Sequence, residues 1–304
     1  MTDLPSNAAQ RLLGSSDIAI SPIAWGMWRL AENGRDAGEA ARLVHAALDA
    51  GITLLDTADI YGFDGEKGFG DAEALLGEVL AGESGLRDRM VLATKGGIRP
   101  PLPYDQSPVY LAEAIDASLR RLRVDTIDLY QIHRPDILTH PQEVARALEN
   151  AVSSGKVRAL GVSNFTQAQI EALAHFLDTP LVATQPEISP MRIDCFENGE
   201  LDQAMRLGLT PMAWSPLGGG RLLRAKSDRD RRVALALDTV AEAQGVSRSV
   251  AAYGWLMAHP AGIVPIIGSQ SPERIAEGAQ ALTMRWTRQD WYAVLIAARG
   301  EDLP

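Results

Sequence analysis

From Ile18 onward the chain alternates short apolar runs with amphipathic stretches, and no other feature restricts its fold so strongly. The runs IAISPIAWG, TLLDTA, MVLATK, IDLYQIH, VRALGVS, LVATQ, LTPMAW and IVPIIG are too short and too evenly apolar for amphipathic helices, and Gly, Pro, Asn or Ser follows most of them. Between them lie EAARLVHAALDA, AEALLGEVL, YLAEAIDASLRRL, EVARALENAV and QAQIEALAHFL, whose apolar residues recur every three or four positions. Helix starts are signalled by Asp71, by Ser107-Pro108 and by Thr166. About eight strands with helices between them predict an α/β chain folded as a closed parallel (β/α)8 TIM barrel, with residues 1–304 forming a single domain and a core of about 18–283. A doubly wound sheet would alternate similarly, but a dinucleotide-binding one carries Gly-x-Gly-x-x-Gly after its first strand, where this chain has AWGMWRL.

The net charge of −10 over 304 residues argues against nucleic acid as a partner, since no basic block interrupts the acidic background. Cys195 is the one cysteine, which excludes an internal disulfide and suits a reducing compartment; the cytoplasm is the expected location. No signal-peptide pattern opens the chain and no apolar run is long enough to cross a bilayer, so no membrane association is expected. His45, His133, His140, His175 and His259 lack paired ligand spacing, so no metal is expected. A monomer is the default.

In such a barrel the C-terminal ends of the strands converge on the active site. Here those ends carry Asp56 with Tyr61 beyond it, then Lys95, His133, Ser163-Asn164, Gln185 and Trp214-Ser215. Lys95 stands out: it is one of only four lysines, and it closes an apolar run where an unpartnered ammonium would be prohibitive. A salt bridge with Asp56, or snorkelling past the strand end, would explain those two residues and leave Tyr61 and His133 as coincidences. The chemical alternative is that Asp56 holds Lys95, Lys95 lowers the pKa of the Tyr61 phenol so that it donates a proton, and His133 orients a carbonyl oxygen. The loops SPLGGGRLLR and GSQSPERIAEG follow the last two strands, where barrels bind phosphate. Gly218, Gly219 and Gly220 would let amides approach an anion, with Ser269 and Arg274 at a helix start.

The segments DTADIYG, VLATKGG, DLYQIHRP and GVSNF together resemble the aldo-keto reductase family, with a match running from near Ile18 to near Thr283. That resemblance implies a catalytic tetrad of Asp56, Tyr61, Lys95 and His133, and a nicotinamide cofactor across the barrel mouth. By the same resemblance Ser163, Asn164 and Gln185 contact its carboxamide, Trp214 stacks on the ring, and Ser215, Pro216, Leu217 and Gly218 follow the pyrophosphate. Gly268, Ser269, Gln270, Arg274, Glu277 and Gly278 would face the adenosine end. Met27, Trp28 and Asp56 complete the cofactor set, with Trp28, Tyr61 and His133 on the substrate. Trp214 stands where many members have Tyr; Gly268 and Gly278 stand where many have a basic residue and Asn. Arg274 is retained, so NADPH is expected over NADH, which is not excluded. The implied activity is NADPH-dependent reduction of aldehydes or ketones, small-molecule carbonyls being the partner, with Tyr61 as proton donor.

A catalytically silent nicotinamide-binding regulatory protein is the alternative, and a Schiff-base lyase or isomerase built on Lys95 a third. The aromatics Trp25, Trp28 and Tyr104, with residues 191–196, suggest an apolar wall around an open, permissive site.

Overall fold

A computed structural model describes residues 3–4 and 10–303. The first apolar run, expected as one strand, is two. Its front half pairs back antiparallel, β1 (Arg11–Leu12) with β2 (Ala19–Ile20), and only β3 (Ala24–Gly26) enters the barrel. The break falls at Ser21-Pro22: the Ser21 hydroxyl donates to the Ile23 carbonyl and accepts from the amides of Thr53 and Leu54, a local alternative to a strand ladder. Leu13, Ile18 and Ile20, on or beside this hairpin, pack with the apolar residues inside the barrel.

From β3 the chain runs through α1 (Ala37–Asp49), β4 (Leu54–Asp56), α2 (Asp71–Gly82), β5 (Val91–Gly96), α3 (Pro108–Leu122) and β6 (Ile127–Ile132). It continues through α4 (Pro141–Ser153), β7 (Val157–Ser163), α5 (Gln167–Ala174), β8 (Leu181–Gln185), α6 (Glu200–Leu207) and β9 (Thr210–Ala213). Two helices, α7 (Asp228–Gln244) and α8 (Arg248–Met257), precede β10 (Val264–Ile267), and α9 (Pro272–Gly278) and α10 (Arg288–Arg299) follow it. The strands close in the order β10-β3-β4-β5-β6-β7-β8-β9, all parallel. The expected helix starts hold: Ser107 caps α3 with Pro108 at its first position, and Thr166 forms a capping box with Gln169 on α5.

Alternation along each strand sorts residues between two cores. Leu54, Ala93, Leu129, Ala159, Val182, Met212 and Val264 fill the barrel interior, whereas Leu55, Leu92, Tyr130, Ile132, Leu160 and Val162 face the helices. The packed core passes residue 283, because α10 lies against α7 and is locked to α8. Trp255 and Trp291 stack at 5.0 Å, and each indole N–H donates to the other's backbone carbonyl at 3.0 Å.

Candidate active site

Above the apolar layer the interior turns polar. Lys95 on β5 is fully buried, and its Nζ donates to Asp56 Oδ2 at 2.6 Å and to the Thr57 carbonyl at 2.7 Å. Nζ also lies 5.0 Å from the centre of the Tyr61 ring. Burial pulls the ammonium's pKa down, but Asp56 and Tyr61 outweigh it and the net direction is upward. A lysine held charged in this way is a poor nucleophile, which counts against the Schiff-base reading.

Tyr61 sits in the loop beyond β4, edge-on to His133 with ring centroids 5.9 Å apart. One expectation needs correcting here. Lys95 does pull the phenol's pKa down, but burial is the larger influence and Asp56 adds to it, so Tyr61 lies above the ordinary value of 10.0. The phenol therefore stays protonated through neutral pH and is a stored proton rather than a readily ionised acid. His133 is held well below 6.5, first by burial and then by Lys95 and Arg134, and so is neutral at neutral pH. Its Nδ1 is buried without a hydrogen-bond partner among the described residues. An unmet acceptor is cheaper than an unmet donor, which assigns the proton to Nε2.

Ser163, Asn164 and Gln185 come together but bond chiefly to the protein. Gln185 Nε2 donates to Asp56 Oδ1 at 3.0 Å, and Ser163 Oγ donates to the Gln185 carbonyl at 2.8 Å. Asn164, at a left-handed φ of 59°, donates to the His133 carbonyl and to Ser163 Oγ, and its Oδ1 accepts from Trp214 Nε1 at 3.0 Å. This last bond sets the plane of an indole that stays partly open at the mouth. Gln131, which the strand-end reading missed because it lies inside an apolar run, donates to Asp56 Oδ1 at 3.4 Å.

The loop after β9 suits an anion. Gly218, Gly219 and Gly220 all have left-handed φ, and the amides of Gly218, Gly220 and Arg221 close turns within the loop. Among the described residues this leaves the Leu217 and Gly219 amides without an intramolecular acceptor, and a Cβ on Gly219 would meet nothing within 4 Å. Beyond β10, the cap of α9 is Ser271 rather than Ser269. Ser269 accepts the Trp25 indole N–H on its carbonyl, and Gln270 bridges the Gly26 carbonyl and Arg35. Arg274 is exposed, with no carboxylate at ion-pair distance among the described residues, and the space over Gly268 is open. Gly278 is a packing glycine, since a Cβ there would lie 2.4 Å from Ile267 Cδ1. Glu277 is half-buried, Ser215 has a φ of 49°, and Met27 and Pro216 are buried. The donor set, the open indole and the free loop amides fit a dinucleotide laid across the mouth.

Of the aromatics expected to wall the site, Trp25 is fully buried, and Phe196 packs against Trp255, Trp291 and His259. Met191 is buried beneath Gly218, while Trp28 and Tyr104 remain at the surface. Among the described residues no group of three or more His, Cys, Asp or Glu side chains could hold a metal ion, and no helix is long and apolar enough to cross a membrane.

Compared with known proteins, residues 22–297 match the aldo/keto reductase family. A 6-dehydroglucose reductase of Novosphingobium aromaticivorans is 77% identical over 304 residues, covering 100% of both chains. A 6-dehydroglucose reductase of Agrobacterium fabrum is 38% identical, covering 97% of this chain and 99% of that one. A thermostable aldo-keto reductase solved with the inhibitor epalrestat aligns with a TM-score of 0.81 at 23% identity, over 95% of this chain and 99% of that one, which shows the shared barrel.

Proposed function

The chain belongs to the aldo/keto reductase family and is a carbonyl-reducing enzyme; on that premise we propose that it uses NADPH to reduce 6-dehydroglucose, an aldehyde at C6 of a hexose, with Tyr61 as the proton donor. The assembly of buried Asp56 and Lys95 with half-buried Tyr61 and His133 carries the reaction. The full-length 77% identity carries the substrate. A complete proton-donating set has no role in pure cofactor sensing, so turnover is preferred to regulation. Its single cysteine, Cys195, agrees with a cytoplasmic setting.

Bound NADPH would supply the hydride that reduces the carbonyl carbon. Tyr61 gives its proton to the carbonyl oxygen, and Lys95 stabilises the phenolate left behind. Asp56 keeps Lys95 charged and in place. Neutral His133 offers Nε2–H to the same oxygen, fixing the substrate before the proton moves. Gln185, Ser163 and Asn164 would hold the carboxamide, Trp214 would support the ring, and the Leu217 and Gly219 amides would take the pyrophosphate. Arg274 would pair a 2′-phosphate, the basis for preferring NADPH.

The test is consumption of NADPH and of NADH with 6-dehydroglucose, on the wild type and on Arg274→Gln. We expect NADPH to be preferred, and the variant to raise KM for NADPH about tenfold while leaving NADH unchanged. Equal use of both cofactors by the wild type would remove the assigned role of Arg274, and no turnover of 6-dehydroglucose would remove the substrate.

A further inference from the structure

An amide in the middle of a barrel is costly unless it is bonded, and Gln131 is fully buried. On β6 it stands beside Lys95 on one neighbouring strand and Gly161 on the other. Gly161 makes its room: a Cβ there would lie 3.1 Å from both Gln131 Cγ and the Ala183 carbonyl. Through that gap Gln131 Nε2 reaches Asp56 Oδ1 at 3.4 Å, and its Oε1 accepts from Gln185 Nε2 at 3.4 Å. Gln185 donates to the same Asp56 oxygen at 3.0 Å, so two amides share one carboxylate oxygen while Lys95 takes the other.

Gln185 thus commits its Nε2 to the protein, donating to Asp56 Oδ1 and to Gln131 Oε1, and among the described residues nothing donates to its Oε1, which is left to accept from the N–H of a nicotinamide carboxamide. We propose that Gln131 is a positioning residue: by accepting from Gln185 Nε2 and donating to Asp56 Oδ1 it fixes which way the Gln185 amide points and so presents Oε1 to the carboxamide. The inference rests on the nicotinamide reading above. Without Gln131, one Gln185 N–H loses its acceptor, the amide is free to turn, and the cost falls on cofactor binding.

The experiment titrates NADPH, and separately adenosine 2′,5′-bisphosphate, against the tryptophan fluorescence of the wild type, Gln131→Met and Gln131→Glu. Methionine keeps the volume and removes the amide. Glutamate keeps the shape and adds a charge beside Asp56 that grows with pH. The Met variant is expected to bind NADPH about tenfold more weakly and the fragment, which has no carboxamide, as the wild type does. The Glu variant is expected to lose NADPH affinity further between about pH 6 and about pH 9, with the fragment again unaffected. In turnover the Met variant should show a raised KM for NADPH and an unchanged KM for the carbonyl substrate. Equal NADPH affinity in wild type and Met variant overturns the inference, as does parallel loss of the fragment, which would mean general damage to the fold. A wild type that binds the fragment but not NADPH overturns the nicotinamide reading itself.

Discussion

Two residues apart on β6, Leu129 and Gln131 both face the barrel interior, yet they belong to different kinds of material. Leu129 lies in a layer of Leu54, Ala93, Ala159, Val182, Met212 and Val264, beside the apolar residues of the β1–β2 hairpin. Gln131 lies in a layer where Asp56, Lys95 and Gln185 are tied to one another by hydrogen bonds. The lower layer tolerates a change of shape at a cost in stability; the upper one tolerates little change in proton or charge without losing its chemistry. On the proposed function, one strand would thus carry stability at one end and reactivity at the other.

The strongest way to break that division is Tyr61→Phe. It removes the donated proton and little volume, so turnover is expected to fall by about 10²–10⁴-fold while the melting temperature stays within about 2 °C of the wild type. A variant that melts far lower would show that Tyr61 also holds the barrel together, and unchanged turnover would remove it as the proton donor. Leu129→Ala is the mirror experiment. It should cost about 2–5 kcal/mol of stability by leaving a cavity beneath the polar layer, with kcat in the folded protein within about threefold of the wild type. A collapse of kcat at full occupancy of the folded state would mean that the two layers are mechanically one.

The same division explains what the sequence disclosed. Strand ends show chemistry because a charged residue after an apolar run is costly without a reason, and Lys95 with Asp56 could be paired on that ground. Gln131 was hidden because an uncharged amide inside IDLYQIH reads as one polar interruption of a strand, and its partners come from β4 and β8. The apolar run at 18–26 read as one strand because the Ser21 side-chain bonds that break it reach across to Thr53 and Leu54. The 2.6 Å pairing of Lys95 with Asp56 matched expectation, but the direction at Tyr61 did not, since sequence shows neighbours and not how far burial outweighs them. α10 was left outside the expected core because its partners, Trp255 and α7, lie far back along the chain.

The smallest expected effect sharpens the comparison on the outer face of the same strands. Asp59 is 1% exposed, and among the described residues neither of its carboxyl oxygens, nor the buried Tyr130 hydroxyl, has a hydrogen-bond partner. Both groups crowd the backbone at Gly96, where a Cβ would lie 2.1 Å from the Tyr130 oxygen and 3.0 Å from Asp59 Oδ2. Burial, and then the nearby Glu73, raise Asp59 well above 3.8, while Arg121 is already bonded to Glu73 at 2.8 Å. Asp56 faces inward in an ion pair with Lys95, whereas Asp59 faces outward and forms no ion pair among the described residues; that is the physical difference between them. The folded protein keeps a proton on Asp59 that the unfolded chain releases above 3.8, so this contribution favours folding at acid pH and is lost as pH rises through the raised value. Measured by urea unfolding between about pH 5 and about pH 8, wild-type stability should decline relative to Asp59→Asn by at most ~1.4 kcal/mol per pH unit, with turnover unchanged. Parallel stability curves would mean that Asp59 is ionised in the fold, and that the outer face, like the inner, has found it a cation.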